Sequence, residues 1–145
     1  MSGKFDMRNV RPVRRRADIL PGAELDRCVT GILAGTDVPL GAYDIAAALR
    51  GAGRHAVVAS IYRSLERLRA SGAVEKVETC SAFRIRDVPE AALMVCSECG
   101  VVAALPISGP YAAIARAIAG TGFTVGHIAL EATGLCRECG RRRGA

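Results

Sequence analysis

Residues 57–86 read VVASIYRSLERLRASGAVEKVETCSAFRIR, and the period of this stretch changes half-way along. In its first part Ile61, Leu65 and Leu68 recur at steps of four and three, which predicts a helix over 57–70 with that stripe buried. Ser60, Arg63 and Arg67 make a second stripe on the same helix, polar and basic. Ser71-Gly72 stops it. Val74-Glu75-Lys76-Val77-Glu78 then alternates as a strand does, Thr79-Cys80-Ser81 turns, and Ala82-Phe83-Arg84-Ile85-Arg86 alternates back. A two-stranded hairpin directly after an arginine-faced helix is the wing of a winged helix. An arginine face alone would fit any solvated helix equally well; the hairpin that follows it favours DNA.

Upstream, two more helices complete that unit. Leu25, Cys28, Val29, Ile32 and Leu33 form an apolar stripe over 22–34, introduced by Pro21, and Cys28 on it reads as core. A second helix over 42–50 turns Ile45, Ala48 and Leu49 inward. Three helices, the last one suited to the major groove, and a wing predict a DNA-binding domain over 21–86. Residues 1–20 carry Lys4, Arg8, Arg11, Arg14, Arg15 and Arg16 and read as a basic arm. The whole chain of 145 residues has net charge +6 and a pI near 9.3, with arginine supplying 18 of its 20 basic residues. That balance suits phosphate, which the guanidinium fork meets bidentately.

Downstream, 87–91 read as a hinge and 92–145 as a smaller second domain. Leu93-Met94-Val95 leads as a strand into Cys96-Ser97-Glu98-Cys99, and Val101 to Leu105 leads out. A helix over 109–119 would turn Tyr111, Ile114, Ala115 and Ile118 inward. A long strand over 123–131 follows, then Cys136-Arg137-Glu138-Cys139 and a mobile basic tail, Arg141-Arg142-Arg143. Two C-x2-C knuckles, 36 residues apart, place four thiolates for one tetrahedral zinc. Gly100 and Gly140 let each knuckle turn back past the metal. Two disulfides or a thioredoxin-like redox pair are the competing readings. A thiol oxidoreductase would carry one such pair at a helix start, with acid/base groups beside it; here there are two pairs and only two histidines. No apolar leader or membrane-length stretch is visible, so a cytoplasmic protein with reduced thiols is expected. The fold class is α+β: an N-terminal winged helix-turn-helix and a small C-terminal α/β domain holding zinc. One helix on a short sheet leaves a face and an edge open, and dimerisation closes them.

Ala42-Tyr43-Asp44-Ile45, Ser60 to Leu65, Gly72 to Glu78, Cys96-x2-Cys99-Gly100, Gly122-Phe123 through His127, and Gly134-Leu135-Cys136-x2-Cys139 occur in that order. Together they resemble the ferric uptake regulator family, most closely its zinc-uptake regulator branch, over about residues 20–140. The resemblance implies a homodimeric repressor of metal-uptake genes, responsive to zinc or iron, on a palindromic double-stranded operator. It implies one structural zinc per protomer on Cys96, Cys99, Cys136 and Cys139. DNA contacts are expected from Tyr43, Ser60, Tyr62 and Arg63, with Arg67 on the same stripe. The family also holds a second, exchangeable metal (Zn, Fe or Mn) near the hinge. Here this chain departs from the pattern. Glu75 stands where a histidine is usual, and 88–93 contains none. Glu75, Cys80 and His127 are the first candidates for a regulatory metal, with Glu78, Asp87, Glu90 and Glu131 beside them. A weak exchangeable site and a regulator blind to a second metal, binding DNA constitutively or under another signal, both remain open on these residues.

Overall fold

The computed structural model describes residues 20–144, so the basic arm lies outside the described residues. Helices α1 (Gly22–Ala34), α2 (Ala42–Gly51) and α3 (Val58–Ala70) bury Leu25, Val29, Leu33, Ile45, Leu49, Ile61 and Leu65 in one core. On α2 the inward alanines are Ala42 and Ala46, and the expected Ala48 faces solvent. The carboxylate of Asp44 accepts from the Gly41 amide at 2.9 Å and caps the start of that helix. The wing is an antiparallel pair, β1 (Val74–Val77) and β2 (Ala82–Ile85), in register from Val74↔Ile85 to Val77↔Ala82. A 3₁₀ turn (Glu78–Cys80) joins them, closed by Ser81 in the left-handed region at φ 52°. Leu40 bridges to Phe83 and ties the loop before α2 to the wing.

The second half is a three-stranded sheet. Strands β3 (Ala91–Cys96) and β4 (Val102–Pro106) form an antiparallel hairpin around the first knuckle. Strand β5 (Glu131–Gly134) runs parallel to β3 on its other side, giving the order β4-β3-β5. Helix α4 (Ser108–Ala119) makes the crossover, and α5 (Arg137–Arg143) follows the second knuckle.

Three expectations are corrected here. The long strand over 123–131 does not form; the ladder with β3 runs only over Glu131–Gly134, preceded by one bond from the Leu93 amide to the Leu130 carbonyl at 2.9 Å, and among the described residues 123–129 belong to no strand. Helix α4 buries none of its residues, and Ile114, expected inward, is 37% exposed. The arginine tail is helical: Cys136 caps α5, its sulfur accepting from the Cys139 amide at 3.5 Å.

The two halves touch through the wing. Val77 is fully buried, packed with Leu93, Val95 and Val102 of the sheet. The Val102 amide also donates to the Asp37 carbonyl at 3.0 Å, joining β4 to the α1–α2 loop.

Candidate metal centre and nucleic-acid interface

The four knuckle cysteines converge. Their sulfurs all lie within 4.8 Å of one another, and Cys99 Sγ stands 3.8 Å from Cys136 Sγ. Zinc–sulfur bonds of about 2.3 Å in a tetrahedron place sulfurs about 3.8 Å apart, whereas a disulfide needs about 2.05 Å. The donor set and spacing fit one zinc. Gly100, at φ 74°, turns the first knuckle, as the sequence suggests; a Cβ there would meet Val38 at 3.4 Å. Gly140 instead sits inside α5, where the helix itself makes the turn.

The thiols do not titrate alike. Amides of Cys99 and then Cys136 donate towards Cys96 and hold its thiol down to about 6. For Cys139 the Arg142 guanidinium pulls downward, its Nη2 donating to Sγ at 3.1 Å, yet burial and the three other thiols push the group up to about 12. Four thiolates so close resist sharing their charge unless a cation lies among them. Arg143 pairs with Glu98, so α5 also fastens the second knuckle to the first.

The residues expected to face DNA differ in exposure and in partners. Tyr62 is 47% exposed and Tyr43, on α2, 72% exposed; neither is a core residue. Arg63 is exposed and donates from Nη2 to Ser60 Oγ at 3.0 Å. Arg67 departs from the row. Its guanidinium forks onto Asp26 of α1, Nε to Oδ2 at 3.0 Å and Nη2 to Oδ1 at 2.6 Å. The same carboxylate accepts from the buried Ser64 hydroxyl at 2.5 Å. Arg67 is therefore a brace between α1 and α3. Asp26, which decides this, went unnoticed in the sequence because nothing in helical spacing links it to a residue 41 positions away.

A profile of the ferric uptake regulator family matches residues 29–133. The chain belongs to the ferric uptake regulator family. It is 31% identical to the zinc uptake regulation protein of Escherichia coli (strain K12) over 137 residues, 91% of this chain and 74% of that protein. Among solved structures it resembles a zinc uptake regulator complexed with zinc and DNA, with a TM-score of 0.76 and 28% identity over 83% of this chain and 84% of that one. The holo form of XcZur shares the fold at a TM-score of 0.72 and 24% identity, covering 81% and 84% of the two chains.

The residues considered for a second metal share a cleft in part but do not bring their ligand atoms together. Among the described residues, only the four knuckle cysteines form a group of three or more metal-ligating side chains. Glu75 and His127 line one cleft of about 360 Å³ between wing, hinge and sheet, together with Glu90 and Glu131; Cys80 is outside it. The Glu75 carboxylate is held by Arg84 at 2.5 Å, and Arg84 also reaches Asp87 at 2.9 Å. Cys80 is exposed at the wing turn, and Glu131 is engaged with the wing backbone. No helix among the described residues is long and apolar enough to cross a membrane.

Proposed function

We propose that this protein is a homodimeric, zinc-containing transcriptional regulator that binds double-stranded DNA and represses metal-uptake genes in the cytoplasm. The observation that carries the reading is a winged helix with an exposed Tyr62–Arg63 face, docked onto a four-thiol centre of zinc geometry. The resemblance to a zinc uptake regulator complexed with zinc and DNA supports it along most of the chain. In a two-fold dimer the two recognition helices meet successive major grooves about 34 Å apart, so the operator mirrors the protein as a palindrome. Arg63 has the reach for a bidentate contact with a guanine edge, and Tyr43, Ser60 and Tyr62 flank it. Zinc on Cys96, Cys99, Cys136 and Cys139 supplies cohesion between the two knuckles. Both knuckles adjoin the three-stranded sheet against which Val77 of the wing packs, so the centre also supports the wing.

One observation favours a second reading within the same class. Glu75, where the family pattern expects a histidine, is paired with Arg84, and the remaining donors do not converge. On that reading the regulator needs no second metal. Selection of bound duplexes from a random library, with zinc counted per protomer, tests the main proposal. Enrichment of a palindrome by a dimer holding one zinc per protomer is the expected result; no enrichment at that stoichiometry rejects it.

A further inference from the structure

We propose that Glu131 is a positioning residue for DNA binding, which sets the wing from the opposite half of the molecule. Its carboxylate accepts from the Glu78 amide at 2.6 Å and from the Thr79 amide at 2.8 Å, and it also accepts from the Thr79 hydroxyl. Those amides open the 3₁₀ turn at the tip of the wing, where a helical turn leaves its first N–H groups without partners. A local side chain ordinarily caps such a turn. Here the cap arrives from 52 residues further along the chain.

Glu131 is well placed to transmit position. It opens β5, which is paired with β3 and runs to Gly134, two residues before Cys136. The Gly134 carbonyl accepts from the Ser97 amide at 2.8 Å and from its hydroxyl at 3.0 Å, so the strand is fastened to the first knuckle as well. Just before the wing turn, Val77 is fully buried under Leu93, Val95 and Val102. Apolar packing of this kind fixes the distance of the wing from the sheet but hardly its rotation. Three hydrogen bonds to one carboxylate fix the rotation, because they are directional and strengthened by the charge. Burial of the carboxyl favours its neutral form, but the donors on Thr79 and Glu78, with Lys76 nearby, outweigh this and hold it ionised below the usual range. The wing angle thus follows β5 and the four-thiol centre. Arg84 braces the same hairpin from within, through Glu75 and Asp87.

The test uses the full-length zinc-loaded dimer and the variants Glu131→Gln, Thr79→Val and their combination. Amide hydrogen exchange at Glu78 and Thr79 reads the latch directly and does not depend on the DNA-binding reading, on which the affinity measurements rest. In Glu131→Gln, exchange at those two amides should rise about tenfold or more, the scale of losing charge-assisted hydrogen bonds, with α3 unchanged. Affinity for the selected operator should fall about fivefold or more while random-duplex affinity stays within about twofold, and the double variant should be no worse than Glu131→Gln alone. Unchanged exchange at Glu78 and Thr79 overturns the proposal. So does faster exchange with operator affinity intact, or loosening that spreads equally through α3, since either leaves Glu131 a structural staple. A wild-type dimer that prefers no duplex removes the DNA-binding reading instead, and the exchange measurement tells the two failures apart.

Discussion

Arg63 and Arg67 lie four residues apart on one face of α3, and the geometry gives them different work. Arg63 is exposed and bonded only to Ser60 on its own helix, while Arg67 is closed onto Asp26 of α1. Arg63→Ala should weaken operator binding by about 1–3 kcal/mol, roughly five- to 150-fold, with little change in melting temperature or random-duplex binding. Arg67→Ala should lower the melting temperature and leave the salt slope of DNA binding unaltered, because no phosphate contact is lost. A salt slope reduced by one in Arg67→Ala would show that the brace opens on DNA. The pairing also has a pH signature. The hydrogen bond from Arg67 lowers the Asp26 carboxyl, burial opposes it, and Ser64 assists. A carboxyl lowered in the folded state contributes stability that is complete above its ordinary value and is lost as pH falls through the lowered one. The gap in melting temperature between wild type and Asp26→Asn should therefore hold from neutral pH to about 5 and narrow below about 4. A gap that widens in acid would contradict this. The basic stripe was visible in the spacing of 60, 63 and 67. Which arginine is available to DNA was not, since that depends on a carboxylate brought in by the packing of another helix.

Elements whose partners lie nearby in sequence were readable, and those whose partners lie elsewhere were not. Helix α3 and the wing announce themselves by the change of period at Ser71-Gly72, and the two wing strands pair with each other across one short turn. The stretch 123–130 reads as a strand yet forms none among the described residues, because a strand exists only by pairing and β3 engages it only from Leu130 onward. Helix α4 has an apolar stripe by spacing but buries no residue. On the sheet, Leu93 and Val95 face inward while Met94 and Leu105 stand 43% and 48% exposed on the other side. An open apolar sheet face beside an unburied helix is what a second copy covers in a family of dimers. Met94→Glu with Leu105→Glu should shift the protein from dimer to monomer in sedimentation velocity while zinc remains at one per protomer. A double variant that stays dimeric at micromolar concentration would place the interface elsewhere.

At the scale of the molecule, metal supply and DNA binding meet in the arrangement of donors. Two C-x2-C pairs disclosed the four-thiol centre because each knuckle is local and cysteine has few other uses in such spacing. The fate of a second metal was less open to reading, since Glu75, Cys80 and His127 are set by the hinge, which joins elements distant in sequence. The folded chain puts Glu75 and His127 in one cleft without forming a ligand set. Glu75 is closed onto Arg84, Glu131 onto the wing turn, and Cys80 stands outside the cleft that His127 lines. A zinc ion needs three or four donors at about 2.0–2.3 Å, so binding here would first have to break an ion pair whose side chains are only 21% and 13% exposed. Titration of the one-zinc dimer with Zn²⁺, Fe²⁺ and Mn²⁺ should accordingly show no second equivalent at submicromolar affinity and no gain in operator affinity. Stripping the first zinc should by contrast abolish both dimer and DNA binding, and Cys136→Ser should do the same, because the knuckles, β5 and the wing form one connected path. A second zinc bound tightly, raising operator affinity and lost in Cys80→Ser or His127→Ala, would mean that the hinge closes on DNA into a site this arrangement does not contain.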